Sequence, residues 1–183
     1  IGARGMNLDY FISSLPALLP EQPSAITLEE FRAACTEHLS GSLLAAVEAL
    51  LDDQPSTHPF ITAWRRHETG LRNAIARRRA ARLGTDARPW IRPDGLDETE
   101  TARGVAAAFE QPDPLQRERA LDRIRWKAAE ELQGIQPLTA RVLLAYAIKL
   151  RLLARRQKLD AATGRQRLET LATLPAAGGG SQE

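Results

Sequence analysis

The sequence predicts an all-α fold: a single-domain helical bundle of about seven helices around a central helix near residues 139–159. Three observations carry that expectation. Apolar residues recur at helical spacing, as in Leu28, Phe31, Cys35 and Leu39. Start and stop residues bracket these stretches, whereas strand signals are weak. The chain has 183 residues, 43% apolar and 26% charged, which is enough to bury one core and too ordinary for a disordered polymer.

Ile1 to Gly5 precede Met6, the single methionine, and read as an expression remnant. Residues 6–174 then form one helical domain, and 175–183, rich in glycine, a flexible tail. Leu8 to Ser13 is the one stretch whose alternation could suit a strand. The capping box Thr27-Leu28-Glu29-Glu30 opens the first clear helix. Gly41 separates it from a segment carrying Leu43, Leu44, Val47, Leu50 and Leu51. Residues 52–59 form a loop closed by Pro55 and Pro59. A long helix runs from about Phe60 to Leu83, with Gly84 as its stop. A polar loop around Trp90 covers residues 85–97, and a short Ala-rich helix covers 98–109. Asp113-Pro114 places an N-cap before a proline in the first turn, opening a helix that runs to about Gln133 and stops at Gly134. Thr139 opens another to about Leu159, and Asp160 caps a last one ending near Leu174.

The helix faces indicate how the bundle is layered. In the 139–159 helix, Val142, Leu143, Tyr146, Leu150 and Leu153 share one side, and Leu144, Ile148, Leu152 and Leu159 the other. A rod that is apolar on two opposed sides must be covered on both, which makes it central. The 114–133 helix repeats the pattern more weakly, with Leu121, Ile124, Ala128 and Leu132 set apart from Leu115, Trp126 and Ala129. The 60–83 helix has one stripe, Phe60, Ile61, Trp64, Leu71 and Ile75, with Glu68 inside it. A lone buried carboxylate costs several kcal/mol, so Glu68 requires a cation. Arg72 is one turn away; Arg125 or Lys149 could reach it from the sandwiched helices. A structural ion pair, a functional carboxylate and an exposed position are the three readings open at Glu68.

Charge falls in blocks: −6 over residues 1–61, +6 over 62–88, −4 over 89–122 and +6 over 123–183. These blocks either neutralise one another inside the bundle, or leave Arg77, Arg78, Arg79 and Arg82 as a docking patch where the helix outruns the core. The second reading is a stand-alone basic helical module that binds nucleic acid or an acidic protein through residues 65–88; three Trp, two Tyr and four Phe do not interleave with its arginines, so nucleic acid is a weak expectation as partner.

Motifs for chemistry are missing from the sequence. Cys35 is the single cysteine, which excludes disulfides and thiolate clusters. His67-Glu68 begins like a zinc-protease motif, but Leu71 stands where the second histidine belongs. Cys35 with His38 is at most half a metal site. There is no phosphate loop and no nucleophile elbow. Adjacent acid pairs such as Asp52/Asp53 and Glu130/Glu131 point apart on a helix. Neither catalysis nor a cofactor nor a metal is expected, and no pocket with convergent polar groups is foreseen. Lys149 and Arg151 interrupt the richest apolar stretch, Val142 to Leu153, and no export signal begins at Met6, so a cytoplasmic chain without direct membrane insertion is expected.

Several segments carry a family resemblance. They are Asp9-Tyr10-Phe11-Ile12-Ser13-Ser14-Leu15-Pro16; Trp64, Glu68, Leu71-Arg72-Asn73 and Arg79-Ala80; Asp113-Pro114-Leu115 with Glu118, Leu121-Asp122 and Arg125-Trp126; Leu144 to Leu150; and Arg155-Arg156 with Leu159-Asp160 through Gly164. Together they resemble a bacterial family associated with V/A-type ATPases, similar in turn to the C (or d) subunit of those rotary enzymes. The resemblance implies a helical coupler without catalysis, joining the central stalk to the membrane rotor ring and lying peripheral to the inner membrane. It implies the other ATPase subunits as partners. On this expectation Arg77, Arg78, Arg79 and Arg82 dock on an acidic partner, while Glu68, Arg72, Asn73, Arg125 and Lys149 form an internal polar lock. A full C/d subunit is longer and built from repeated helical units, so this chain could supply only part of such a funnel, or act as an accessory factor.

Overall fold

The computed structural model describes residues 8–20 and 22–158. Among them seven α-helices and no strand occur: α1 (Leu8–Ser14), α2 (Leu28–His38), α3 (Gly41–Leu51), α4 (Pro59–Leu83), α5 (Thr99–Phe109), α6 (Pro114–Gln133) and α7 (Ala140–Lys158). The all-α bundle is therefore the fold. The helix expected from Asp160 to Leu174, the tail at 175–183 and the remnant at 1–5 lie outside the described residues.

Capping chemistry sets most boundaries where the sequence placed them. Thr27 Oγ1 accepts from the Glu30 amide at 3.1 Å while Glu30 Oε2 accepts from the Thr27 amide at 2.8 Å, so two otherwise orphaned donors are satisfied at the start of α2. Asp113 Oδ1 accepts from the Leu115 amide at 3.0 Å ahead of Pro114. Gly84 ends α4 at φ 64°, a left-handed conformation that any side chain would strain.

Leu8 to Ser13, the one stretch whose alternation could suit a strand, is helical. Leu8, Phe11, Ile12 and Leu15 recur at i, i+3, i+4 and i+7, and α1 turns that face inward, burying Phe11. The hydroxyls of Ser13 and Ser14 donate back to the carbonyls of Asp9 and Phe11, closing the helical turn locally.

Two apolar clusters hold the helices. The larger joins α1, α2, α3 and α7 to Phe60, Ile61 and Trp64 at the start of α4 and to Trp126, Ala128 and Ala129 of α6. The smaller joins Leu71 and Ala74 of α4, Val105, Ala108 and Phe109 of α5, and Leu121 of α6. The double coverage expected of the central helix is present. Leu143, Leu144, Ile148, Leu150, Leu152 and Leu153 of α7 are all buried, with α3 against one side and α6 against the other. α6 in turn lies between α7 and the α4–α5 pair. No helix among the described residues is long and apolar enough to cross a membrane.

Candidate functional site

Glu68 lies on α4 between Trp64 of the larger cluster and Leu71 of the smaller. Arg125 lies on α6 between Leu121 of the smaller cluster and Trp126 of the larger. Each residue therefore falls at the seam of the two clusters, and there they meet. Arg125 Nε donates to Glu68 Oε2 at 3.0 Å and Nη2 to Glu68 Oε1 at 3.2 Å, a bidentate pair. Arg72 Nε adds a third bond to Glu68 Oε1 at 3.0 Å. Arg125 Nη1 also donates to Asp122 Oδ1 at 2.9 Å, and Arg155 of α7 donates to the same oxygen at 3.0 Å and to Glu118 Oε2 at 2.6 Å. Six side chains from three helices thus form one continuous network whose centre, Glu68 and Arg125, is only 16% and 11% exposed.

Burial acts on the two carboxylates of Arg125 with different outcomes. At Glu68 burial pushes the pKa up, but the charges and hydrogen bonds of Arg125 and Arg72 outweigh it and hold the carboxyl below its usual range. At Asp122 burial wins over Arg155 and Arg125, assisted by repulsion from Glu118, and the carboxyl is raised. Both guanidiniums reach Asp122 on one oxygen, whereas Glu68 is gripped on both, which accounts for the difference.

The expected polar lock is thereby corrected in its membership. Arg72 and Arg125 are both partners of Glu68; Lys149 and Asn73 are not. Lys149 Nζ lies 3.3 Å from Glu130 Oε1 and 5.2 Å from the centre of the Trp126 ring, because its stretch of α7 faces the C-terminal half of α6. Asn73 faces the 85–97 loop instead. Its Nδ2 donates to the Arg92 carbonyl at 2.8 Å and its Oδ1 accepts from the Arg92 amide at 2.9 Å, a two-point clamp on the backbone. Gly70 makes the close approach possible: a Cβ there would fall 2.0 Å from the Leu96 carbonyl oxygen.

The four arginines expected as a docking patch lie along the C-terminal part of α4. α5 packs against α4 and Ala80 is buried, whereas residues 81–83 at the end of the helix are exposed. Arg77 pairs with Asp97 at 3.2 Å, Arg78 with Glu110 at 2.6 Å, and Arg82 donates to the Phe109 carbonyl at 3.5 Å. Two ion pairs thus join the positive block at 62–88 to the negative block at 89–122. Arg79 is exposed and makes no ion pair or hydrogen bond among the described residues.

Arg79 opens onto a feature that the sequence did not reveal, a cleft of about 700 Å³. One wall is the outer face of α4, with Arg72, Ile75, Arg79 and Leu83; the other is α6, with Glu118, Leu121 and Arg125. Trp90 closes one end, and Arg155 contributes from α7. Polar groups do converge here, contrary to the expectation of no such pocket, because residues on three helices and a loop supply them. Apart from Arg79 its ionisable groups are engaged with one another, and Thr85 is the one hydroxyl among its described lining. Such a lining can bind a partner that carries both charge and apolar surface.

His67 is a second residue that the sequence undervalued. It is 7% exposed, stacks on Trp64, and its Nδ1 lies 3.4 Å from Glu98 Oε2, which also accepts from Thr101. Its position three residues after Trp64 and four before Leu71 was the available signal. Among the described residues, no group of three or more His, Cys, Asp or Glu side chains could hold a metal ion. Cys35, buried beneath α2, has its thiol pushed up to about 12 by desolvation.

Residues 85–174 match the model of a family described as a protein of unknown function (DUF2764), a match that covers just under half of the chain. It takes in α5, α6 and α7 together with the Trp90 loop. No curated protein and no solved structure matches the chain significantly.

Proposed function

We propose that the chain is a non-catalytic component of a bacterial V/A-type ATPase, a helical coupler of the C/d kind between the central stalk and the membrane rotor ring. One observation supports this reading above the others. Glu68, Arg72, Glu118, Asp122, Arg125 and Arg155 all belong to the positions that carry the resemblance, and the fold gathers those six into one network across α4, α6 and α7. A part that transmits torque must not shear between its helices. A buried, multiply bonded pair at the seam of two apolar clusters resists such sliding, because displacement would leave charges unpaired in a poorly solvated place. The alternative, a basic module binding nucleic acid through residues 65–88, has less support, because Arg77 and Arg78 each share their charge with a carboxylate of the chain.

The test is affinity purification of the tagged chain from its native cells, with co-eluting proteins identified by mass spectrometry. Central-stalk and rotor-ring subunits are the expected companions. Recovery without any ATPase subunit, or with nucleic acid that dissociates steeply with salt, contradicts the proposal.

A further inference from the structure

The cleft between α4 and α6 has the makings of an interface in its own right, whichever assembly the chain serves. Leu83 is 75% exposed and Trp90 69% exposed, two large apolar side chains at the rim of the same opening. Buried Leu121 and half-buried Ile75 continue that surface inward. Tryptophan and arginine together are the side chains that dominate protein interfaces when a partner excludes water from them.

Charge selects the kind of partner. Four guanidiniums line the cleft, those of Arg72, Arg79, Arg125 and Arg155, and three carboxylates answer them, Glu68, Glu118 and Asp122. Arg79 is the cation left over. It lies two turns from Arg72 on the outer face of α4, and Arg72 keeps a 55% exposed side chain beyond its bond to Glu68. The opening therefore presents apolar surface edged by positive charge.

We infer that this cleft docks an acidic amphipathic helix of a partner protein. Its apolar side chains lie on Ile75, Leu83 and Trp90, and a carboxylate takes Arg79. A small organic acid fits less well, because the two largest apolar groups stand at the rim, where an extended segment covers them and a small ligand inside does not.

The experiment uses the full chain and three fluorescein-labelled 16-residue peptides, followed by anisotropy. The first carries leucines at helical spacing flanked by glutamates. In the second lysines replace the glutamates, and in the third serines replace the leucines. The expected result is saturable binding of the first, at least about ten-fold tighter than either control, and weakened about ten-fold by Arg79→Glu and by Leu83→Ser. Arg79 makes no ion pair or hydrogen bond among the described residues, so Arg79→Glu is expected to leave the fold intact, which an unchanged circular dichroism melt verifies. Equal binding of all three peptides, no binding, or indifference to both substitutions overturns the inference. Iodide quenching of the full chain against its Trp90→Phe variant tests the other occupants. A shielded Trp90 in a monomer makes the chain's own remaining residues the occupant. A dimer in sedimentation that Leu83→Ser dissolves makes it a second copy. Either result also overturns the inference.

Discussion

Replacing Glu68 by Gln should cost the fold far more than the loss of an exposed ion pair would. The side chain is 16% exposed and receives three charge-assisted hydrogen bonds, two from Arg125 and one from Arg72. Removing one member of a buried pair costs about 3–5 kcal/mol, chiefly because the survivor is stranded. Here Arg125 keeps Asp122, and glutamine keeps one acceptor oxygen. The expected loss is therefore at or just below the bottom of that range, about 2–3 kcal/mol. A chain of this size melts about 2–4 °C lower for each kcal/mol, so the midpoint should fall by about 4–12 °C. Urea unfolding of wild type, Glu68→Gln, Arg125→Met and the double variant isolates the pair, with an expected coupling of about 2 kcal/mol. A single-variant loss below about 0.5 kcal/mol, or additive single losses, would refute the reasoning, because such values belong to exposed ion pairs.

Further expectations follow from other contacts. Asn73→Ala removes both bonds to the Arg92 backbone and should cost about 2 kcal/mol while making residues 85–97 the first site of limited proteolysis. Gly70→Ala should destabilise by more than about 1 kcal/mol despite alanine's better helix propensity, since its methyl would meet the Leu96 carbonyl. In acid, a carboxyl held low in the folded chain contributes fully above its unfolded value and loses that contribution as pH falls through its folded one. Asp122, held high, acts in the opposite sense, so stability gains as pH falls through its folded value. The urea midpoint of wild type should therefore drop more steeply than that of Glu68→Gln between about pH 5 and pH 3. Cys35, fully buried with its thiol pushed up to about 12, should resist aromatic disulfide reagents at pH 8 and react at the rate of global unfolding.

The helices were legible because their signals are local. The capping box at Thr27, the Asp113-Pro114 start and the Gly84 stop are set by residues within a turn of one another, and each is where it was expected. Leu8 to Ser13 was open in the sequence because six residues suit either period; the burial of Phe11 decides it. The need for a cation at Glu68 was also legible, since a carboxylate inside an apolar stripe demands one. Which cation was not. Arg125 and Lys149 are both on sandwiched helices, and the rotation of α6 and α7 about their axes, set by packing at Trp126, brings one to Glu68 and the other to Glu130. Asn73 was misplaced for the same reason, because its partner is backbone 19 residues away. The cleft escaped altogether. It is made by a loop and three helices, and no single stretch of sequence contains it.

The central claim is that the Glu68–Arg125 pair makes one body of two apolar clusters, and native-state hydrogen exchange tests it most directly. Amides of α4 on the two sides of Glu68, near Trp64 and near Leu71, should open in the wild-type chain with one common free energy. In Glu68→Gln those energies should separate by more than about 1 kcal/mol. Two distinct openings already present in wild type, or a single shared one that persists in the variant, would contradict the account.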